Sequence, residues 1–315
     1  MDNTTTKLII ENYLIYCNTQ KRLDLKTLKA YIIDLSQFFT YLDNKTIPMI
    51  SVSDIESYIA YLNQNFKPKT AKRKVASIKA LFHYLEYKDI IEINPFNKIR
   101  LSFREPLLLP KTIPLYVAEA LLAAIYKENT LATTEYRNKR SLLDIAIVET
   151  LFSTGMRISE LCNLKYYDID LCDAKIRIFG KGSKERIIHI GNEEVIQLLI
   201  RYEQVFSSEI QRSGYFFTST NSLPISDQAV RRMINKYCTI ANIDLHITPH
   251  MFRHTFATCL LDADVDIRYI QEMLGHSSIT VTEIYTHVSL SKQRDILANK
   301  HPRKNFNVMS VKSDG

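Results

Sequence analysis

Residues 174–190 read AKIRIFGKGSKERIIHI. Ile176 and Ile178 alternate with Lys175 and Arg177, and the turn Gly180-Lys181-Gly182-Ser183-Lys184 leads into a second run from Arg186 to Ile190. Period-two alternation on both sides of a glycine-bearing turn predicts a β-hairpin. No other stretch of the 315 residues shows convincing strand character, so the hairpin sits in an otherwise helical chain. The expected fold class is mainly α, with one small hairpin sheet in the second half.

Upstream, a helix runs from about Glu135 to Thr154 and stops at Gly155, which can take the left-handed residue after a helix end. Another begins near Pro114 and is apolar through Ile125. Between Asn94 and Pro114 lie Pro95, Pro106, Pro110 and Pro114 and the unpatterned run Leu107-Leu108-Leu109, the features of an interdomain linker. The expected organisation is a helical domain over 1–105, a linker over 106–113, a second domain over 114–300 and a polar tail over 301–315 that orders only on binding.

In the first domain Asp24 caps a helix with Leu28, Ile32, Leu35, Phe39 and Leu42 at helical spacing, a second helix begins at Ser53, and a third spans about Pro68 to Tyr87. Ala71, Val75, Ile78, Phe82 and Leu85 give the third its apolar stripe, and Lys69, Lys72, Arg73, Lys74 and Lys79 crowd the rest. Downstream of the hairpin, helices are expected near Asn192–Phe206, Ser226–Ala241, Pro249–Leu261, Asp266–Leu274, Ser278–Tyr285 and Ser291–Lys300.

Composition narrows the function classes. With 46% hydrophobic residues and 7 glycines, the chain is neither a disordered tail nor a glycine-rich repeat. Lys plus Arg number 41 against 34 acidic residues, a net charge of +7 that favours an acidic partner such as nucleic acid. Residues 1–105 hold sixteen basic against eleven acidic side chains, so most of the excess lies there. No apolar run is long enough to span a bilayer, and the first thirty residues carry no signal-peptide pattern. The five cysteines, Cys17, Cys162, Cys172, Cys238 and Cys259, are scattered, which fits reduced, buried thiols in a cytoplasmic protein.

Four short segments carry reactive groups. In Thr154-Gly155-Met156-Arg157-Ile158-Ser159-Glu160-Leu161, Arg157 and Glu160 are three apart and share a helix face; such a pair is ordinarily a structural salt bridge. Lys181 sits at the hairpin tip, where an ammonium can serve solubility or reach a phosphate. In Thr248-Pro249-His250-Met251-Phe252-Arg253-His254, Thr248 is the expected N-cap, and His250 and Arg253 project together from the first turn, beside N–H groups suited to an anion. His250 and His254 also have a metal-pair spacing, but no acidic motif or Cys cluster completes a site. In the last segment Gly275 ends a helix, His276 lies in the turn after it, and Tyr285 follows in Ile284-Tyr285-Thr286-His287. Alone, that tyrosine is an ordinary aromatic.

Together these residues supply two guanidiniums, two imidazoles, an ammonium and a phenol, a set suited to phosphoryl transfer without a metal. Guanidiniums hold the non-bridging oxygens, the phenol attacks, an imidazole takes its proton and the ammonium protonates the departing alkoxide.

In these motifs, T-G-M-R-I-S-E-L, G-K-G-S-K-E-R, H-M-F-R-H, L-G-H-S and I-Y-T-H-V, taken in this order, the chain resembles the tyrosine recombinase, or phage integrase, family, most of all its compact Xer-type members. The resemblance implies a DNA breaking-rejoining fold: an N-terminal helical core-binding (SAM-like) domain and an α-rich catalytic domain with a small β-hairpin sheet. It implies that Tyr285 attacks a DNA phosphodiester to give a 3′-phosphotyrosine, that Arg157 and Arg253 clamp the phosphate, that Lys181 is the general acid, His250 the base and His276 a further donor, and that Glu160 supports Arg157. It also implies double-stranded DNA with inverted half-sites as partner, a homo-tetramer on two sites with a dimer on each, a Holliday junction, no cofactor, and a nucleoid-associated place in the cytoplasm. An accessory or activating protein belongs to the same expectation. Lys69, Lys72, Arg73, Lys74 and Lys79 become candidate DNA contacts.

Sixty-nine positions separate Lys181 from His250, leaving no room for the extra helical insertion of integron integrases, and helices that begin near Met1 leave none for an arm-binding domain. The last helix, Ser291–Lys300, either packs on its own subunit or on a neighbouring protomer. Dimer resolution and mobile-element integration or excision stay open; a type IB topoisomerase and a non-catalytic DNA-binding protein are the alternatives.

Overall fold

The computed structural model describes residues 3–43, 45–101, 111–179, 185–275 and 290–306. The chain divides into two compact units, Met1–Leu108 and Leu109–Gly315. Among the described residues, no helix is long and apolar enough to cross a membrane.

The first unit contains α1 (Asn3–Thr19), α2 (Leu25–Tyr41), α3 (Val52–Asn65) and α4 (Pro68–Tyr87). Asp24 caps α2 by accepting from the Thr27 N–H. The α2 stripe differs from the expected one: Ile32 is half exposed, and Phe38, fully buried, takes its place beside Leu28, Leu35 and Phe39. The helix expected from Ser53 starts earlier because Ser51 and Asp54 form a reciprocal capping box. Within α4 the apolar stripe is buried as its spacing predicts, from Ala71 through Leu85.

The second unit is built on α6 (Glu135–Thr154), which follows α5 (Leu115–Thr130). Every α6 residue from Ser141 to Thr154 is buried, against α5, α8 (Glu193–Val205) and α11 (Pro249–Asp262). Between α6 and α8 the chain forms α7 (Ile158–Cys162) and strands β1 (Ile169–Asp170), β2 (Lys175–Phe179) and β3 (Glu185–His189). The sheet is antiparallel in the order β1-β2-β3. It therefore holds one short strand more than the expected hairpin; two residues are too few to show an alternation. Ile176 pairs with Ile188, and Ile178 with Arg186, so the apolar face of the hairpin carries one arginine. The remaining helices are α9 (Ser207–Ser213), which the sequence did not announce, α10 (Asp227–Ile240), α12 (Ile267–Leu274) and α13 (Leu290–Lys300). The helix expected over 278–285 lies outside the described residues. Of the cysteines, Cys17, Cys162 and Cys238 are buried and Cys259 half-buried, while Cys172 is exposed, contrary to expectation.

The segment from residue 301 differs from the expected mobile tail: His301, Pro302 and Arg303 are buried in the second unit and Phe306 packs against it, while Lys304 and Asn305 are exposed. His301 is 4% exposed and Arg303 is 2% exposed. Arg303 Nε donates to both Glu149 oxygens at 2.9 and 3.1 Å, and Tyr126 Oη donates to Glu149 Oε1 at 2.8 Å. Phe306 stacks on Phe152 with centroids 5.2 Å apart. A helix-periodicity reading misses this segment because its buried groups are a charge, an imidazole and a ring held by point contacts.

His301 Nδ1 accepts from the Arg303 N–H at 3.0 Å, which places its proton on Nε2, donated to the Phe152 carbonyl at 2.8 Å. Burial pushes this imidazole down to about 4. The unfolded chain takes up the proton as pH falls through the ordinary histidine value, and the folded chain does not until about 4. Stability is therefore full above that ordinary value and falls across the window between them, by about 3 kcal/mol at its lower end. Urea unfolding of the intact chain should show this loss, and His301→Gln should flatten it; an equal slope in the variant would exclude His301 as its source.

Candidate functional site

At the end of α6, Gly155 has φ +61° and donates its N–H to the Leu151 carbonyl. A Cβ there would also lie 2.7 Å from the Phe256 ring, so glycine permits both the left-handed turn and the close approach of α11. That approach brings Arg253 NH1 within 3.0 Å of the Gly155 carbonyl, and its NH2 reaches the Leu274 carbonyl at 2.6 Å. Arg253 is 4% exposed.

Arg157 caps α7. Its backbone N–H donates to Glu160 Oε2 at 2.7 Å and its NH1 to Glu160 Oε1 at 2.7 Å. Its NH2 lies 3.5 Å from the Gly275 carbonyl. Arg157 and Arg253 thus converge on successive carbonyls at the end of α12, and Glu160 fixes the orientation of Arg157. Arg186 of β3, which the sequence reading passed over as a strand residue, donates from NH1 and NH2 to Glu160 at 3.0 and 2.8 Å and from Nε to the Met273 carbonyl at 2.8 Å. The available signal was its position: an arginine in register with Ile178 on the inward face of an alternating strand.

Among the described residues, three guanidiniums meet the one carboxylate of Glu160 at this place. Burial alone would raise the Glu160 carboxyl, but hydrogen bonds and charge from Arg186 and Arg157 hold it below the usual range, so it is ionised. Burial, and then the charge of Arg157, push Arg253 down to about 9 against the pull of Glu160. It stays cationic at neutral pH, in surroundings that favour an anion.

His250, at the start of α11, is exposed. Partial desolvation first, then the charges of Arg231, His254, Arg253 and Arg157, lower its pKa, which keeps the imidazole neutral and able to accept a proton. Arg231 on α10 is the second residue that the sequence reading did not single out. Lys181, His276 and Tyr285 lie outside the described residues. Among the described residues, no group of three or more His, Cys, Asp or Glu side chains could hold a metal ion.

On α4 the five cations separate. Lys69 and Lys72 are exposed and Lys79 is half-buried. Lys74 is a correction: it is 3% exposed, with Nζ 3.0 Å from Asp34 Oδ1, hydrogen-bonded to Gln37 and 5.0 Å over the Phe66 ring. Arg73 pairs with the other oxygen of Asp34, which also accepts from Ser77 Oγ at 2.8 Å. Fully buried Asp34 would be an uncompensated charge without these donors, so Lys74 holds α4 to α2 and cannot reach a partner while that network stands.

Residues 118–292 match the model of the phage integrase family, and residues 10–88 match that of the phage integrase N-terminal SAM-like domain. A tyrosine recombinase of Agathobacter rectalis is 60% identical over 97% of this chain and 99% of its own. Tyrosine recombinase XerC of Staphylococcus epidermidis is 33% identical over 94% of this chain and 97% of its own. The XerH site-specific recombinase, solved bound to a palindromic difH substrate, superposes with a TM-score of 0.65 at 18% identity, covering 96% of this chain and 83% of that one. This last likeness is one of fold.

Removal of a neighbouring positive charge should restore part of the basicity of His250. In Arg231→Met the NMR titration midpoint of His250 should rise toward the ordinary histidine value, with the ring protonated at higher pH than in the parent protein. An unmoved midpoint would show that His250 does not feel Arg231.

Proposed function

Because the chain belongs to the phage integrase family and is a tyrosine site-specific recombinase, we propose that it breaks and rejoins double-stranded DNA through a covalent 3′-phosphotyrosine formed on Tyr285. The observation that carries this reading is the convergence of Arg157 and Arg253, two buried or half-buried guanidiniums, at the end of α12, where Glu160 offsets only part of the positive charge of the described residues. Such a place suits the non-bridging oxygens of a phosphodiester.

In the proposed cycle, Tyr285 Oη bonds to phosphorus as the bond to the 5′-oxygen breaks. His250, neutral in the free protein, takes the phenolic proton, and Lys181 gives one to the departing 5′-oxygen. Arg157 and Arg253 hold the phosphate, with His276 as a further donor. Glu160 fixes the Arg157 fork. The phosphotyrosine keeps the bond energy, so a 5′-hydroxyl from a second duplex closes the cycle without a nucleotide cofactor, through a Holliday junction.

The domain roles follow: residues 1–105 bind DNA, 106–113 link, and 114–300 carry the chemistry. Inverted half-sites suit a dimer on each site and a tetramer on two. The same reading places the protein with chromosomal or plasmid DNA in the cytoplasm. Exposed Lys69 and Lys72, with Lys79, are its proposed phosphate contacts on α4; Arg73 and Lys74 are engaged by Asp34.

A nicked suicide site should trap a denaturant-resistant protein–DNA adduct that Tyr285→Phe abolishes. An adduct of undiminished yield in that variant would exclude Tyr285 as the nucleophile. For α4, changing Lys69, Lys72 and Lys79 to Gln should flatten the slope of log Kobs against log salt by about 0.9 for each phosphate that is no longer neutralised. An unchanged slope would leave those side chains as solvated surface.

A further inference from the structure

Arg186 is neither in the proposed clamp nor accounted for by the hairpin. It stands on the apolar face of the sheet in register with Ile178, and its side chain is 10% exposed. All three kinds of its nitrogen are used: NH1 and NH2 on the two oxygens of Glu160, and Nε on the Met273 carbonyl. It therefore joins β3, α7 and the end of α12, three elements distant in sequence. The carbonyls of Met273, Leu274 and Gly275 are taken by Arg186, Arg253 and Arg157 in turn. Glu160 could accept from Arg157 in many orientations, but a planar fork on its far side leaves the carboxylate one. Gly275 adds to the closeness: with φ +64°, a Cβ on it would lie 3.0 Å from Arg186 Cδ.

We propose that Arg186 is a positioning residue for DNA cleavage: by locking the Glu160 carboxylate from behind, it holds the Arg157 guanidinium in the orientation that meets the scissile phosphate. This rests on the reading of Arg157 as a phosphate clamp. In this role Arg186 acts through Glu160, on which its NH1 and NH2 are spent. Its loss slows chemistry on a charged phosphate while DNA affinity stays, because the groups that bring DNA to the protein are elsewhere.

A methylphosphonate at the scissile position tests this. Replacing a non-bridging oxygen by methyl removes the negative charge that the clamp serves, so a defect arising in the clamp shrinks and a general folding defect does not. Arg186→Gln should form the covalent adduct at least about tenfold more slowly than the parent protein on an ordinary phosphate, and within about threefold of it on the methylphosphonate, with DNA affinity in a gel-shift assay unchanged. An equal deficit on both substrates, or none on either, overturns the proposal. If Arg186→Gln does not fold, Arg186→Lys keeps the charge but loses the fork and the Met273 bond, and the same ratio of rates decides. Arg157→Ala is run beside them. Should it gain nothing from the methylphosphonate, the clamp reading fails and the proposal with it; should it gain while the Arg186 variants do not, only the proposal fails.

Discussion

One carboxylate, that of Glu160, keeps the positive centre of the second unit together. Its two oxygens accept four hydrogen bonds, two from Arg157 and two from Arg186. Without it, two guanidiniums within reach of the same point would face each other across partly buried space, where charges interact more strongly than in water. The attraction is therefore a constraint on three elements at once: the start of α7, the turn end of the hairpin and the last turn of α12. The end of a helix also leaves carbonyls without intrahelical partners and a partial negative charge, which guanidiniums answer better than water does.

That centre needs a rigid floor, and α6 supplies it in an unusual way. A helix buried on every side would be expected to be apolar, yet residues 141–154 include Asp144, Glu149, Thr150, Ser153 and Thr154. Each is answered locally. Thr150 and Thr154 return their hydroxyls to carbonyls one turn back at 2.7 and 2.6 Å, Asp144 accepts from Tyr237 Oη at 3.0 Å, and Glu149 is held by Tyr126 and Arg303. Burial still raises the Asp144 carboxyl to about 6. The C-terminal segment is thus an ionic plug for α6, since breaking a buried pair costs far more than an exposed one would.

Much of this was legible in the sequence where the signal was periodic or local. Helix α4, the cap at Asp24, the stop at Gly155 and the pairing of β2 with β3 follow from spacing and from single-residue backbone preferences. The pairing of Arg157 with Glu160 was legible too from its i,i+3 spacing, although Arg157 meets Glu160 from the N-cap position, in extended backbone, and not from a shared helix face. The contacts that were not legible join residues far apart in sequence: Arg186 to Glu160, Arg253 to Leu274, Arg303 to Glu149, Lys74 to Asp34. No periodicity encodes such a contact. Only Arg186 left a trace, as a charge at an inward-facing strand position, and that trace is the mark of a buried ion pair.

The cations of α4 and those of the α7–α12 centre show why net charge identifies a partner but not the residues that meet it. A lysine beside a buried carboxylate is spent on the fold, as Lys74 is on Asp34. Around Glu160 the balance among the described residues runs the other way, with three guanidiniums to one carboxylate, and burial pulls Arg253 down without removing its charge. Self-repulsion among such groups costs folding stability, and a phosphate that binds only the folded chain returns part of that cost. A site balanced within itself would be more stable and would have nothing to offer an anion. The imbalance, held in place by Glu160 and not cancelled by it, is what the proposed phosphate clamp draws on.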